Sequence, residues 1–327
     1  MPIRVTLLAL VLPTSLAAQT LAVAFPDEHR VLLFDARTYD SVASVPVGPG
    51  PHEIAPGPDG RHLYVGNTGG AGEPGRYTVT RIDVADPART SAIDAGACAG
   101  LHDLQVSGSG SLLWIGCARA RAVHEIELAT GRLGRRWPIT PDGGWTLRAT
   151  PDERRVYVAH LEGQAVSAVD RQRGTASTVA GPGPQYGIDV TPDGREVWVT
   201  APDSGRVTVL DGATDRVLAS VPSAGGGPGR LRFTRDGRLA VVPQDVPSAL
   251  TLMDVASRKP LASIPLPAEP KVLALSPDGR FAAVSHPDAK SVSIVNLERR
   301  MVVRTLGVPG TPDGVAYAAV APGRLSP

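Results

Sequence analysis

Apolar residues in this chain come in short alternating runs, not at the three-to-four spacing of helices. Glu196-Val197-Trp198-Val199-Thr200, Val207-Thr208-Val209-Leu210-Asp211 and Arg216-Val217-Leu218-Ala219-Ser220-Val221 follow one another, rich in β-branched residues and separated by Gly, Pro and Asp. Upstream, across the turn Pro192-Asp193-Gly194, lies the further apolar stretch Tyr186 to Val190. Alternation with this punctuation predicts four short antiparallel strands in a meander.

The unit repeats. Pro58-Asp59-Gly60, Pro192-Asp193-Gly194 and Pro277-Asp278-Gly279 are clear copies of its turn, and Gly108-Ser109-Gly110, Pro151-Asp152-Glu153 and Arg235-Asp236-Gly237 are weaker ones. They recur about every 42 residues, the length of a four-stranded propeller blade. The two ends complete one another. Leu21 to Phe25, Val31 to Asp35 and Ser41 to Val47 read as second, third and fourth strands, and the missing first strand is Pro312-Asp313-Gly314-Val315-Ala316-Tyr317, which aligns with Pro51-His52-Glu53-Ile54-Ala55. The expected fold is an all-β, closed seven-bladed β-propeller of four antiparallel strands per blade. Its closing blade takes one C-terminal and three N-terminal strands.

Composition narrows the function classes. Basic and acidic residues number 33 and 32, a net charge of +1, so no electrostatic footprint for nucleic acid or an anionic membrane exists. Two cysteines are too few for a disulfide scaffold or a four-thiolate zinc site. Met1-Pro2-Ile3-Arg4, the apolar run Val5 to Leu12 and the small residues Ser15 to Gln19 read as an export signal over 1–19, with a buried first strand as the alternative. Residues 20–327 are then one propeller domain, expected to be monomeric, without a membrane span, and periplasmic or secreted. In that setting Cys98 and Cys117, folded together about Gly108-Ser109-Gly110, are expected to form a disulfide; two free thiols beside His102 as metal ligands are the alternative. The glycine-rich run Gly70 to Gly75 matches a dinucleotide fingerprint in form only. It lies between strands, contains Pro74 and opens no helix.

Leu63-Tyr64-Val65-Gly66-Asn67, Arg155-Val156-Tyr157-Val158-Ala159 and Ser204-Gly205-Arg206-Val207-Thr208-Val209-Leu210-Asp211-Gly212-Ala213-Thr214 resemble the YVTN-type β-propeller repeat over essentially the whole region after the signal. That resemblance implies the fold; its superfamily hosts lactonases, amine-oxidising subunits and plain binding proteins alike. Pro51-His52-Glu53-Ile54 and Gly57-Pro58-Asp59-Gly60 are also similar to streptogramin-lyase-like propellers. That likeness implies a magnesium-assisted enzyme with a His/Glu pair at the channel mouth, carried here by His52, Glu53 and His102.

Repetition separates scaffold from chemistry. Asp35, Asp83, Glu127, Asp170, Asp211, Asp254 and Asn296 each end a third strand, which marks them as turn residues rather than general bases. Tyr64, Trp114, Tyr157 and Trp198 recur on second strands and should pack between blades. The slot two residues before the apolar position of each inner strand does vary. It holds His52, His102, Trp145, Tyr186, Gly229, Lys271 and Asp313, with Glu53, Asp103 and Arg230 as neighbours. His29, His160 and His286 fall on the same face, so five of the seven histidines share it.

His52, His102, Trp145, Tyr186, Arg230, Lys271 and Asp313 are therefore the expected ligand-binding residues. His52, Glu53 and His102 are the catalytic candidates, and His52, His102, His160 and His286 the candidate ligands of a possible divalent metal. The leading expectation is an exported binding or scaffold protein taking a small molecule or a partner protein. A metal-assisted lyase or lactonase, with Glu53 or a histidine as general base, is the alternative. A third is an electron-transfer partner subunit of a separate haem or quinone protein.

Overall fold

In the computed structural model, which describes residues 19–69, 77–141, 143–181 and 183–324, seven sheets of antiparallel strands stand around a central axis. The export-signal reading and the Gly70–Gly75 run lie outside the described residues. The ring closes as expected: Val315–Ala318 is the inner strand beside Thr20–Phe25, with Leu21 opposite Tyr317, and Arg30–Asp35 and Ser41–Pro46 complete that blade. Among the described residues no helix is long and apolar enough to cross a membrane.

The core lies between blades, one apolar cluster at each junction. Alternate residues of one strand serve two junctions. Leu21, Val23 and Phe25 meet Ala283, Val292 and Ile294 of blade seven, whereas Ala22 and Ala24 meet Leu63 and Val65 of blade two. Both faces of such a strand are covered, which is why the second strands read as continuous apolar runs. Tyr64, Trp114, Tyr157 and Trp198 each sit in a junction cluster with the following blade.

The recurrent turn residues act on backbone. Asp35, Asp83, Asp170, Asp211, Asp254 and Asn296 accept N–H groups two or three residues on. Gly60 and Gly194 hold left-handed conformations (φ 67° and 73°) in the Pro-Asp-Gly turns, where a side chain would be strained. Asp59 and Asp193 accept the N–H two residues later and close those turns.

Two strand expectations change. In blade five the inner strand is only Ile188–Val190, so Tyr186 stands ahead of it, its N–H bonded to the Thr200 carbonyl at 3.0 Å. In blade six the inner strand splits into Gly226–Pro228 and Arg232–Phe233, both paired with Leu239–Val246. The glycines of Gly225-Gly226-Gly227-Pro228-Gly229 weaken a continuous ladder there.

Candidate functional site

The channel mouth is built by irregular backbone. In blade two Pro51 pairs with Asn67 and Ile54 with Val65, which leaves a bulge at His52-Glu53. In blade three Leu101 pairs with Cys117 and Asp103 with Gly116, leaving His102 extra; in blade four Gly144 and Thr146 bracket Trp145 in the same way. A bulge re-aims the side chain it carries. Three at one level, in successive blades, gather His52, His102 and Trp145 into contact. The His52 and His102 ring centroids are 4.5 Å apart, and His102 meets Trp145 edge-on at 4.0 Å.

Two absent side chains let the neighbouring strands close in. A Cβ on Gly314 would lie 2.1 Å from the His52 carbonyl oxygen, and one on Gly187 would lie 2.7 Å from the Arg230 Cα. The break in blade six puts Arg230, not the slot residue Gly229, at the axis. Its side chain is 1% exposed; its NH1 meets Glu53 Oε1, its NH2 lies 3.2 Å from His102 Nδ1, and its guanidinium covers the Tyr186 ring at 5.4 Å. One arginine thus touches blades two, three and five.

Burial sets the protonation states. It pulls Arg230 down to about 10, still a cation at neutral pH. It also drops His102 to about 3, helped by neighbouring His52, and lowers His52 against the opposing pull of Asp313, so both imidazoles are neutral at pH 7. The His102 Nδ1–H donates to the Trp145 carbonyl at 2.9 Å, which leaves Nε2 with the lone pair. Burial, with nearby carboxylates, also raises the Tyr186 phenol well above its usual value.

His52 stands between two carboxylates, Nδ1 3.4 Å from Glu53 Oε1 and Nε2 3.3 Å from Asp313 Oδ2. One ligand atom from each of His52, Glu53 and Asp313 lies within 4.8 Å of the others, a spacing a single cation can bridge. Several buried polar atoms here have no hydrogen-bond partner among the described residues: His52 Nδ1, Trp145 Nε1, Arg230 Nε and Asp313 Oδ1. These atoms include both donors and acceptors, which favours a polar ligand that offers both. The donor set of one imidazole and two carboxylates fits a divalent ion such as Zn²⁺ or Mn²⁺.

Other sequence-derived candidates fall elsewhere. His160 and His286 do not join the mouth. Both are fully buried inside their own blades, where Nε2 bonds Ser167 Oγ and Ser293 Oγ at 2.8 Å, and the His286 Nδ1–H donates to the Glu269 carbonyl. Asn67 and Gln244 make the equivalent bond to Thr80 and Thr251, so the position is a scaffold contact. His29 bonds loop backbone, and Lys271 lies exposed at the rim. Asp103 turns away from the mouth to bond Leu147 N and Arg148, both at 2.9 Å. Cys98 and Cys117 are disulfide-bonded, which excludes them as thiolate ligands. Asp313, an expected ligand-binding residue, stands against His52, where the missing side chain of Gly314 beside it admits the bulged strand.

The molecule is thus a seven-bladed β-propeller with a charged, partly unsatisfied cluster at one end of its channel. No family model matches the chain. Among curated proteins, antigen Lp49 of Leptospira interrogans serogroup Icterohaemorrhagiae serovar copenhageni (strain Fiocruz L1-130) is 25% identical over 190 residues, 53% of this chain. The chain covers 40% of that relative's length. Among solved structures, Pseudomonas aeruginosa periplasmic gluconolactonase PpgL has a TM-score of 0.73 at 21% identity, over 92% of this chain and 99% of that one. A functionally unknown protein from Desulfotomaculum acetoxidans scores 0.78 at 13% identity, over 93% and 99%. Kuenenia stuttgartiensis hydrazine synthase scores 0.71 at 18% identity, over 82% and 89%. At these identities the likeness is one of fold.

Proposed function

We propose that this is a small-molecule-binding propeller whose working site is the channel mouth formed by His52, Glu53, His102, Trp145, Tyr186, Arg230 and Asp313. The observation that carries the reading is the convergence there of buried polar atoms without protein partners, among them Trp145 Nε1 and Asp313 Oδ1. A polar ligand that satisfies them recovers desolvation already incurred in folding. Location outside the cytoplasm belongs to the same proposal, supported by the signal-like residues 1–19 and by the disulfide. The test is a thermal-shift and calorimetric screen of sugars, sugar acids and amino acids. A saturable ligand whose affinity falls in Asp313→Asn and Trp145→Phe is expected; binding that ignores both substitutions rejects the site.

A second reading, metal-assisted opening of a lactone or a related elimination, is favoured by the His52–Glu53–Asp313 group. A divalent ion held by these residues supplies Lewis-acid polarisation of a carbonyl when bound. His102 Nε2 would accept a proton beside it, and Arg230 would steady a developing negative charge. The Pseudomonas neighbour is a gluconolactonase, which makes lactones the first substrates to try. Elemental analysis of protein purified without chelator, compared with Asp313→Ala, decides the ion. Equal metal content in both, or none in the wild type after incubation with Zn²⁺ or Mn²⁺, removes this reading.

A further inference from the structure

Below the mouth each inner strand contributes one more residue to the channel wall, one position beyond its recurring apolar residue. On three adjacent blades it is alanine: Ala274, Ala316 and Ala55. On the other four it is Gln105, Arg148, Asp189 and Arg232. The short alanine side chains, with Ala55 and Ala316 largely buried against the neighbouring blades, form part of the wall of a cavity of about 350 Å³. Its walls are charged on one side, where Glu53, Asp103 and Asp189 face Arg148 and Arg232, and apolar on the other, the latter including Ala274, Ala316 and Leu275.

Three of the four polar residues already have work. Gln105 Oε1 accepts the Ala149 N–H at 2.8 Å, and Asp189 accepts the Val190 and Phe233 N–H groups at 3.0 and 2.9 Å. Arg148 donates to Asp103 and lies 3.6 Å from Asp189. Arg232 differs. Its NH1 donates at 2.8 Å to the carbonyl of its own neighbour Leu231, and among the described residues no carboxylate pairs with it. The other arginine lining the cavity, Arg148, is already engaged by Asp103. A guanidinium offers five N–H donors in a fork matched to a carboxylate. Here that fork is partly buried beside an empty, half-apolar space.

We propose that the channel below the mouth binds a small organic carboxylate, its charge on Arg232 and its apolar body against the alanine half. Glu53 lines this cavity as well as the mouth, but Arg232 and the alanines lie further down the inner strands. The proposal does not rest on the functional reading given above. The cavity volume lies at the lower end of the range for small-molecule sites, which limits the ligand to a short acid.

Calorimetric titration with acetate, hexanoate and benzoate tests the assignment, with hexan-1-ol as the uncharged control. Hexanoate or benzoate should bind once per chain, about tenfold or more tighter than hexan-1-ol. Arg232→Gln should weaken the acid by about tenfold or more while leaving hexan-1-ol unchanged. Ala316→Leu should block binding with Arg232 intact, by filling the empty half. Circular dichroism identifies folded variants, and if Arg232→Gln does not fold, Ala316→Leu and the alcohol comparison decide. Equal affinity for hexanoate and hexan-1-ol, undiminished binding in a folded Arg232→Gln or Ala316→Leu, or no binding of any acid at ~10 mM overturns the proposal.

Discussion

A guanidinium buried at the axis has to be compensated, and Arg230 is, from blades two and five, by the Glu53 carboxylate and the face of the Tyr186 ring. Its removal leaves the Glu53 carboxylate buried without a counter-charge. Arg230→Ala is expected to cost about 3 kcal/mol or more, and Arg230→Met with Glu53→Gln to recover part of that loss. Urea denaturation of the wild type and the two variants forms the check. Asp189 gives a pH signature at a different site. Burial pushes its carboxyl up from 3.8 to about 6 against the pull of Arg148 and two backbone N–H groups. A raised folded-state pKa means its contribution to stability is full below about pH 4 and is lost as pH rises through about 6, roughly 2–3 kcal/mol in all. Asp189→Asn removes that loss. Relative to wild type, the variant should gain stability between about pH 4 and 6 and hold a constant difference above that window. Parallel slopes for the two proteins would reject the assignment.

At the scale of strands, the mouth depends on bulges and on close approach. Gly314→Ala places a methyl against the His52 carbonyl, so the strand carrying His52 and Glu53 must shift. A loss of about 1–3 kcal/mol is expected, together with loss of whatever the His52–Glu53–Asp313 group holds. His286→Ala is the contrasting change. It breaks two buried hydrogen bonds inside blade seven, costs about 2 kcal/mol or more, and leaves mouth binding intact, as denaturation and titration on the same sample would show. The contrast marks what could be read in advance. His52, His102 and Trp145 were legible as breaks in a repeated slot. The roles of His160 and His286 were not, because their Ser167 and Ser293 partners belong to a hydrogen bond that only a paired sheet reveals. The bulges were invisible too, since an extra residue in a strand leaves no mark in alternation when the next apolar position is simply delayed.

Across the whole molecule, closure concentrates stability where the ends meet. Val315–Ala318 supplies the inner edge of the blade begun by Thr20–Phe25, and Tyr317 packs in the junction with blade seven. Deleting 312–327 should therefore abolish cooperative unfolding rather than trim a tail, as seen by calorimetry. The Cys98–Cys117 bridge spans a separation of 19 residues in blade three, and its reduction should cost about 3 kcal/mol, read as a lower urea midpoint in dithiothreitol. Turn chemistry and alternation are local, and their repetition was enough to specify seven blades, their closure and the scaffold role of the third-strand acids. The pairing of His52 with Asp313, the reach of Arg230 across the axis and the alanine-lined void below it were decided only by tertiary structure. Those groups come from opposite parts of the chain, and their distances depend on bulges, a broken strand and two missing side chains that no local pattern encodes.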